Sequence, residues 1–274
     1  MTDRDIVQID DPDDPRIAAY RDVKERDLVG RQGLFIAEGE VVLRALSLSP
    51  GMETVSVLLA AKRVAGLAEI LAGLAPEVPI YAASQPVMDA IAGFPIHRGI
   101  LALGRRRAEL TAAQLLTGLP AKALVLVLCG IANHDNMGGL FRNAAAFGVN
   151  CVVLDSDCCD PLYRKAIRVS VGAALRVPFA MIPAGTDIPA LLRGFDLVLL
   201  ALSPSGATVL SGLSPTGRSA LLLGAEGPGL SADMLAQCQT VSIPMAAGFD
   251  SLNVATTAGI VLHHLRHVAG AICD

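Results

Sequence analysis

Short apolar runs alternate with amphipathic stretches throughout the second half of the chain. Strands are predicted for the apolar runs at 123–129, 151–154, 177–182, 197–202, 220–223 and 241–243. Apolar residues recur at helical spacing at 139–147, 163–169, 189–192 and 232–237, and a last helix is predicted over about 252–268. Apolar strands separated by helices are typical of a parallel sheet covered on both faces, so an α/β domain is predicted here.

A smaller alternation of the same kind precedes this domain. Strands are predicted at 55–59, 78–81 and 100–103, with helical runs at 41–48 and 65–74. Together they predict a small α/β domain over 28–104, which a linker at 105–121 joins to a second domain at 122–274. Residues 1–27 form an acidic leader that we expect to be mobile or loosely packed.

The charge of the chain does not exclude a nucleic-acid partner. The net charge is −4, and the leader, with nine acidic and five basic residues, accounts for all of it. The rest of the chain is neutral, and it carries two candidate basic patches, 105–107 and Arg164 with Lys165 and Arg168. A solvated face is the plainer interpretation of the arginine triplet.

Cysteine usage and the absence of targeting patterns favour a cytoplasmic protein. The six cysteines form no C-x-x-C pair, so no zinc site is predicted. The N-terminus is acidic and does not resemble a secretory signal. The longest uncharged stretch, at about 197–217, is interrupted by proline and glycine and is a poor membrane span.

Three polar segments directly follow predicted strands, at 133–142, 224–231 and 244–255. The carboxyl ends of strands are where open parallel sheets bind ligands. Each segment alone is adequately explained as a turn, and Ser251 is explained as an N-cap of the last helix. Arg142 is harder to explain structurally, because a cation near the start of an apolar helix opposes the helix dipole and usually binds a local anion.

These segments, taken in order, resemble the SpoU (also called TrmH) RNA ribose methyltransferases of the SPOUT superfamily. The first motif is matched by Asn136, Gly138, Arg142, Ala144, Phe147 and Gly148. The second and third motifs are matched by LLLGAEGPGLS and IPMAAGFDSLNVATTAG. A further family stretch, between the first and second motifs, is matched by DPLYRKAIRVSVGA. FIAEGEVVLRAL and HRGILAL resemble the small L30e-like substrate-binding domain that often precedes the catalytic one. The resemblance covers about 28–265. Asn133 and His134 depart from it, since family members often have Asp-Pro there.

The resemblance implies a trefoil-knotted methyltransferase domain, where periodicity alone predicts an ordinary doubly wound sheet. It further implies a homodimer, ribosomal or transfer RNA as substrate, and S-adenosylmethionine as cofactor. By motif match, the implied cofactor-binding residues are Ala201, Leu202, Ser203, Leu223, Gly224, Glu226, Gly227, Ile243, Met245, Ser251, Leu252 and Asn253. The implied catalytic residues are Arg142, Asn136, Glu226, Ser251 and Asn253.

The chemistry of these side chains limits their roles. Arg142 is the family's catalytic arginine by position, but a guanidinium is a poor general base. We therefore expect Arg142 to bind the adjacent phosphate and stabilise the developing alkoxide, with that phosphate or a water taking the proton. Asn136 and Asn253 do not titrate, so they suit positioning, and Glu226 is expected to orient Arg142 or Asn136.

Three other interpretations stay open at this stage. A non-catalytic RNA-binding protein with the same fold would not need the retained polar residues of the motifs. A dinucleotide-dependent oxidoreductase would need G-x-G-x-x-G after the first strand of the second domain, and 130–132 does not supply it. His263 and His267 are spaced like metal ligands on a helix, but the glutamate of H-E-x-x-H and a third ligand are missing, which favours an ordinary helix face.

Overall fold

The computed structural model of the chain describes residues 4–21, 33–92, 98–214, 217–247 and 251–268. The chain divides into two compact units. The first comprises Met1–Ala108 together with Asp160–Arg176, and the second comprises Glu109–Cys159 together with Val177–Asp274. Each unit is therefore built from two separate stretches of sequence.

Strands and helices alternate along the described residues. The strands are β1 (Ile6–Ile9), β2 (Leu34–Glu38), β3 (Met52–Ala60), β4 (Ile80–Ala83), β5 (Ile100–Arg106), β6 (Ala123–Leu128), β7 (Cys151–Leu154), β8 (Phe179–Met181), β9 (Val198–Leu202), β10 (Thr208–Val209), β11 (Arg218–Leu223) and β12 (Gln239–Ser242). The helices are α1 (Glu40–Ser47), α2 (Ala68–Ala72), α3 (Gln85–Ala92), α4 (Ala112–Thr117), α5 (His134–Ala146), α6 (Arg164–Val169), α7 (Ile188–Arg193), α8 (Ala232–Ala236) and α9 (Val254–His263).

The first unit contains a mixed five-stranded sheet in the order β1-β4-β3-β5-β2. Strands β1 and β3 run parallel to β4, whereas β5 is antiparallel to both β3 and β2. The carboxyl ends of β2 and β3 and the start of β5 therefore meet at one edge of this sheet.

Over residues 4–21 the prediction of a loosely packed acidic leader is wrong, and the rest of the leader, 1–3 and 22–27, lies outside the described residues. β1 lies within the leader and pairs with β4, and Ile9 and Ile17 are fully buried in the core of the first unit. Tyr20 is buried as well, and its hydroxyl lies 2.6 Å from Oγ of Ser56 and accepts a hydrogen bond from the backbone N–H of Leu103. The aspartates lie in the turn between Ile9 and Ile17. The acidic composition of this segment therefore gave no indication that its apolar residues pack into the core.

The segment 160–176 belongs to the first unit, although the prediction assigned it to a continuous second domain. Helix α6 packs against β2, and a Cβ built on Gly172 would lie 2.7 Å from Cβ of Ala45 in α1. The predicted linker is also partly structured. It contains the end of β5 and all of α4, whose Leu116 is fully buried in the core of the second unit.

The second unit contains a seven-stranded sheet in the order β10-β12-β9-β11-β6-β7-β8, and every recorded pairing in it is parallel. The predicted α/β fold with a parallel sheet is thus confirmed. Strands β6, β7 and β8 are neighbours in chain order, whereas β9 lies on the other side of β6, next to β11. The strand order therefore reverses between β8 and β9. Crevices at such reversals, outside the carboxyl ends of the strands, are the usual ligand sites of parallel sheets.

No helix within the described ranges is long and apolar enough to cross a membrane.

Candidate active site

A cavity of about 430 Å³ opens at the carboxyl ends of β9, β11 and β12 in the second unit. Its volume falls in the range of small-molecule sites, roughly 300–1,000 Å³. The lining residues are Leu202, Ser203, Pro204, Leu223, Gly224, Ala225, Glu226, Gly227, Gly229, Val241, Ile243, Met245, Ser251, Leu252, Asn253, Val254 and Thr257. Among the described residues, the wall is thus largely apolar and glycine-rich and carries one carboxylate, that of Glu226.

The structure brings nearly all of the predicted cofactor-binding residues to this cavity. The exception is Ala201, which is fully buried in β9 beside Leu222 and Thr240 and belongs to the hydrophobic core. Thr257 also lines the cavity, although it is not among the predicted residues; it lies one helical turn after Asn253 and donates from Oγ1 to the Asn253 carbonyl. Helical spacing from Asn253 was the signal that could have identified it.

Gly224 allows the loop after β11 to fold closely on itself. A Cβ at this position would lie 2.2 Å from the carbonyl carbon of Gly229, and the N–H of Gly229 donates to the carbonyl of Ala225 at 3.0 Å. Gly227, which has a φ of +88°, has no atom within 4 Å of a built Cβ. Gly224 is therefore required by packing within the loop and Gly227 by its backbone conformation.

Three polar side chains from three different elements form a hydrogen-bonded network beside the cavity. Asn136 of α5 donates from Nδ2 to Oε1 of Glu226 at 2.7 Å. Asn253 donates from Nδ2 to Oδ1 of Asn136 at 2.8 Å, and its Nδ2 is also 3.5 Å from Oε1 of Glu226. Asn136 is buried, whereas Glu226 and Asn253 line the cavity. The predicted contact of Glu226 with Asn136 is thus present.

The start of α9 fixes the orientation of this network. Oδ1 of Asn253 accepts hydrogen bonds from the backbone N–H groups of Ala255 and Thr256, as an N-cap does. The amide nitrogen of Asn253 is left to donate to Asn136, which in turn leaves the Asn136 nitrogen to donate to Glu226. The interpretation of Ser251 as the N-cap is wrong, because Asn253 holds that position, and Ser251 lines the cavity.

Arg142 lies apart from the network within this chain. It is exposed, is absent from the cavity lining, and makes no hydrogen bond or ion pair with the part of the chain that the structure describes. Six residues separate it from Asn136 on α5, a rotation of about 240° around the helix axis. Glu226 makes no hydrogen bond or ion pair with Arg142, so the alternative expectation that Glu226 orients Arg142 is not met.

The departure from the family pattern at 133–134 leaves the start of α5 intact. Oδ1 of Asn133 accepts from the backbone N–H groups of Asp135 and Asn136, at 2.8 and 3.3 Å. An aspartate would cap the helix in the same way. Asn133 therefore performs the capping expected of the usual residue.

The remaining polar candidates show ordinary packing. His263 and His267 contact the Phe147 ring, with ring centroids 5.9 and 6.4 Å away. Within the described ranges no group of three possible metal ligands occurs. Burial raises the pKa of the Cys129 and Cys151 thiols to about 12, so neither is an activated nucleophile at neutral pH.

Comparisons with known proteins agree on one family. Residues 123–263 match the sequence model of the SpoU rRNA Methylase family. A protein of Mycobacterium tuberculosis named as an uncharacterized tRNA/rRNA methyltransferase is 39% identical over 269 residues, which cover 94% of this chain and 91% of that protein. The Escherichia coli 23S rRNA (guanosine-2'-O-)-methyltransferase RlmB is 31% identical over 189 residues, covering 68% of this chain and 77% of RlmB.

A solved structure shows the same fold. The AdoMet-bound rRNA methyltransferase from Sinorhizobium meliloti aligns with a TM-score of 0.78 at 19% identity, over 94% of this chain and 96% of that one. Together these similarities confirm the predicted RNA ribose methyltransferase and its cofactor, S-adenosylmethionine. The chain belongs to the SpoU family of RNA methyltransferases.

Proposed function

We propose that this enzyme methylates a ribose 2′-hydroxyl of 23S rRNA, at the mouth of the cavity beside Asn136, Glu226 and Asn253. The network that joins these three side chains carries the proposal, since it aligns fixed polar groups next to a small-molecule cavity. RlmB, whose name gives a guanosine of 23S rRNA as its target, supports the choice of substrate. Transfer RNA is the second substrate to test.

The cavity suits S-adenosylmethionine. Leu202, Ile243, Met245 and Leu252 would offer apolar surface to the bound cofactor, and the glycine-rich loop after β11 would offer backbone groups at the same cavity. The cofactor supplies a methyl group on a positively charged sulfur. Its leaving group is already good, so the residues of the chain need only align the hydroxyl and assist the loss of its proton.

We assign positioning to the three-residue network and charge stabilisation to Arg142. Neither asparagine can take a proton, and both amides are oriented by their hydrogen bonds. The Arg142 guanidinium is a permanent cation that can bind a substrate phosphate and stabilise the developing alkoxide. The proton then passes to that phosphate or to water.

Arg142 also favours a homodimer in the proposal. Arg142 is exposed and does not line its own cavity. In the proposal it therefore acts at the cavity of a second copy of the chain. A dimer would also cover exposed apolar side chains of the last helical segment, such as Ile260 and Val268. The trefoil knot and a cytoplasmic location, which the family resemblance implies, belong to the same proposal.

Methyl transfer from radiolabelled S-adenosylmethionine tests the proposal. Wild type, Asn136→Ala and Arg142→Ala are incubated with 23S rRNA transcribed in vitro and, separately, with unmodified transfer RNA. Arg176→Ala is the control, because Arg176 is also exposed and has no recorded side-chain partner among the described residues. Alkaline hydrolysis then locates the label.

Label in alkali-resistant dinucleotides of 23S rRNA, lost in the two variants and kept in the control, is the expected result. Label released by alkali as mononucleotides would place the methyl group on a base and contradict ribose methylation. Label that enters only transfer RNA would move the substrate to the second candidate.

A further inference from the structure

Four arginines of the first unit converge on the tripeptide Glu38-Gly39-Glu40, at the edge of the sheet where β2 ends. They are Arg63, Arg98, Arg164 and Arg168, and we call them, with the tripeptide, the Gly39 surface. These arginines come from three distant parts of the sequence, so the fold brings them together. The surface does not overlap the cavity, whose lining residues all belong to the second unit.

A buried carboxylate anchors two of the four arginines. The Glu38 side chain is 9% exposed, and its Oε2 lies 3.6 Å from Nε of Arg164 and 3.8 Å from Nη1 of Arg168. No hydrogen bond satisfies this oxygen within the described residues, so the two ion pairs alone offset the cost of burying its charge, and they hold both guanidinium groups near the carboxylate. The Arg164 and Arg168 side chains are 22% and 41% exposed, and they therefore still present surface to solvent.

The other two arginines lie against the following residues. Gly39 has a φ of +96°, and a Cβ built there would lie 3.1 Å from Nη1 of Arg98, so the glycine admits the guanidinium close to the backbone. Nη2 of Arg63 lies 3.4 Å from Oε2 of Glu40, and both side chains are more than two-fifths exposed. Arg98 is exposed as well.

The charge of the Gly39 surface opposes that of the whole chain. Four arginines and two glutamates leave it with a net charge of +2, whereas the chain carries −4. The planar fork of a guanidinium matches the oxygens of a phosphate, and restrained arginines lose less side-chain entropy on binding. Several arginines held in one place can bind several phosphates of a nucleic-acid backbone at once. A single acidic side chain could occupy only one of them, so a phosphate backbone is the better ligand for this surface.

We infer that the Gly39 surface binds the sugar-phosphate backbone of the RNA that the enzyme methylates. This inference rests on the proposed function only for the identity of the RNA. The contact is electrostatic and independent of base sequence. It adds affinity at a position other than the cavity, through phosphates that do not take part in the reaction.

The salt dependence of RNA binding tests this inference. The affinity for 23S rRNA transcribed in vitro is measured from 50 to 300 mM KCl for wild type, Arg98→Gln, Arg168→Gln and the double variant. Arg193→Gln is the charge-matched control, because Arg193 is an exposed residue of the second unit and donates to the side chain and the backbone carbonyl of Gln237. S-adenosylmethionine binding and the thermal midpoint of each variant establish that the fold and the cavity are intact.

We expect each of the two substitutions to lower the slope of log affinity against log salt concentration by about 1, and the double variant by about 2. The KM for RNA should rise in the double variant while the KM for S-adenosylmethionine stays at the wild-type value. An unchanged slope in the double variant, or an equal change in Arg193→Gln, would overturn the inference. Wild type that binds RNA with the expected slopes but transfers no methyl group would instead contradict the proposed function.

Discussion

Asn253 donates a hydrogen bond from its side-chain nitrogen to the side-chain oxygen of Asn136, over 2.8 Å, while its own side-chain oxygen caps α9. The two ends of one amide thus connect the start of a helix with a network at the cavity. The cap fixes which end of the amide faces Asn136. A local feature of secondary structure therefore determines the donor pattern that reaches Glu226.

Asn253→Asp separates the two roles of this residue. A carboxylate still caps α9, so we expect the free energy of unfolding to change by less than about 1 kcal/mol. It cannot donate to Asn136 and adds a negative charge close to Glu226, so methyl transfer should fall at least about tenfold. Asn133→Asp, at the N-cap of α5, is the control and should retain activity. Comparable activity in the two variants would show that the Asn253 donor is dispensable.

Mixed dimers test whether Arg142 acts in a neighbouring subunit. Arg142→Ala and Asn136→Ala are each expected to be inactive alone. If Arg142 serves the partner's cavity, random mixing yields heterodimers with one intact site, and about a quarter of wild-type activity should return. Co-expression of the two chains with different affinity tags, followed by the methylation assay, measures this recovery. Mixed dimers as inactive as either variant would place Arg142 in its own subunit's reaction.

Gly224→Ala should damage the cavity through packing within its own loop. The added Cβ would overlap the backbone of Gly229, so the loop must shift, and we expect a destabilisation of about 1–3 kcal/mol with weakened S-adenosylmethionine binding. Gly212→Ala is the matched control, because no atom lies within 4 Å of its built Cβ. Urea unfolding and calorimetric titration of the cofactor provide the two measurements. Wild-type cofactor affinity in Gly224→Ala would show that the tight loop is not required.

Val171→Gly should stabilise the protein. Val171 follows α6 with a φ of +55°, a conformation that costs a β-branched residue about 1–2 kcal/mol. Because glycine carries an entropic penalty of its own, we expect a net gain of about 0.5–1 kcal/mol. Val41→Gly, an exposed position in α1, should lose a similar amount. Equal destabilisation by both substitutions, measured by urea unfolding, would mean that the left-handed residue is not strained.

The sequence predicted those parts of the fold that follow from local patterns. Apolar strands separated by helices indicated the parallel sheet of the second unit, and polar residues after strands indicated which edge carries the cavity. Ala201 does not line the cavity, because a motif identifies a stretch of chain, whereas alternation along a strand buries some of its side chains in the core.

Features that depend on distant parts of the chain were not predicted. β1 is only four residues long and stands beside a run of aspartates, so its pairing with β4 had no local signal. The return of α6 to the first unit involves packing against β2 and the ion pairs of Arg164 and Arg168 with Glu38, more than a hundred residues away. Arg142, by contrast, is rotated by about 240° from Asn136 around the axis of α5, a relationship that the spacing of six residues already contained.

The division of each unit into two stretches constrains the order in which the protein can be completed during synthesis. When the ribosome has released residues 1–108, Glu38 is present but both of its arginine partners are still to be made. The first unit is complete only after residue 176 has emerged, by which time β6 and β7 of the second unit are already outside. The first unit therefore cannot be completed before part of the second unit has been made, and a chain cut after residue 108 lacks both arginine partners of Glu38.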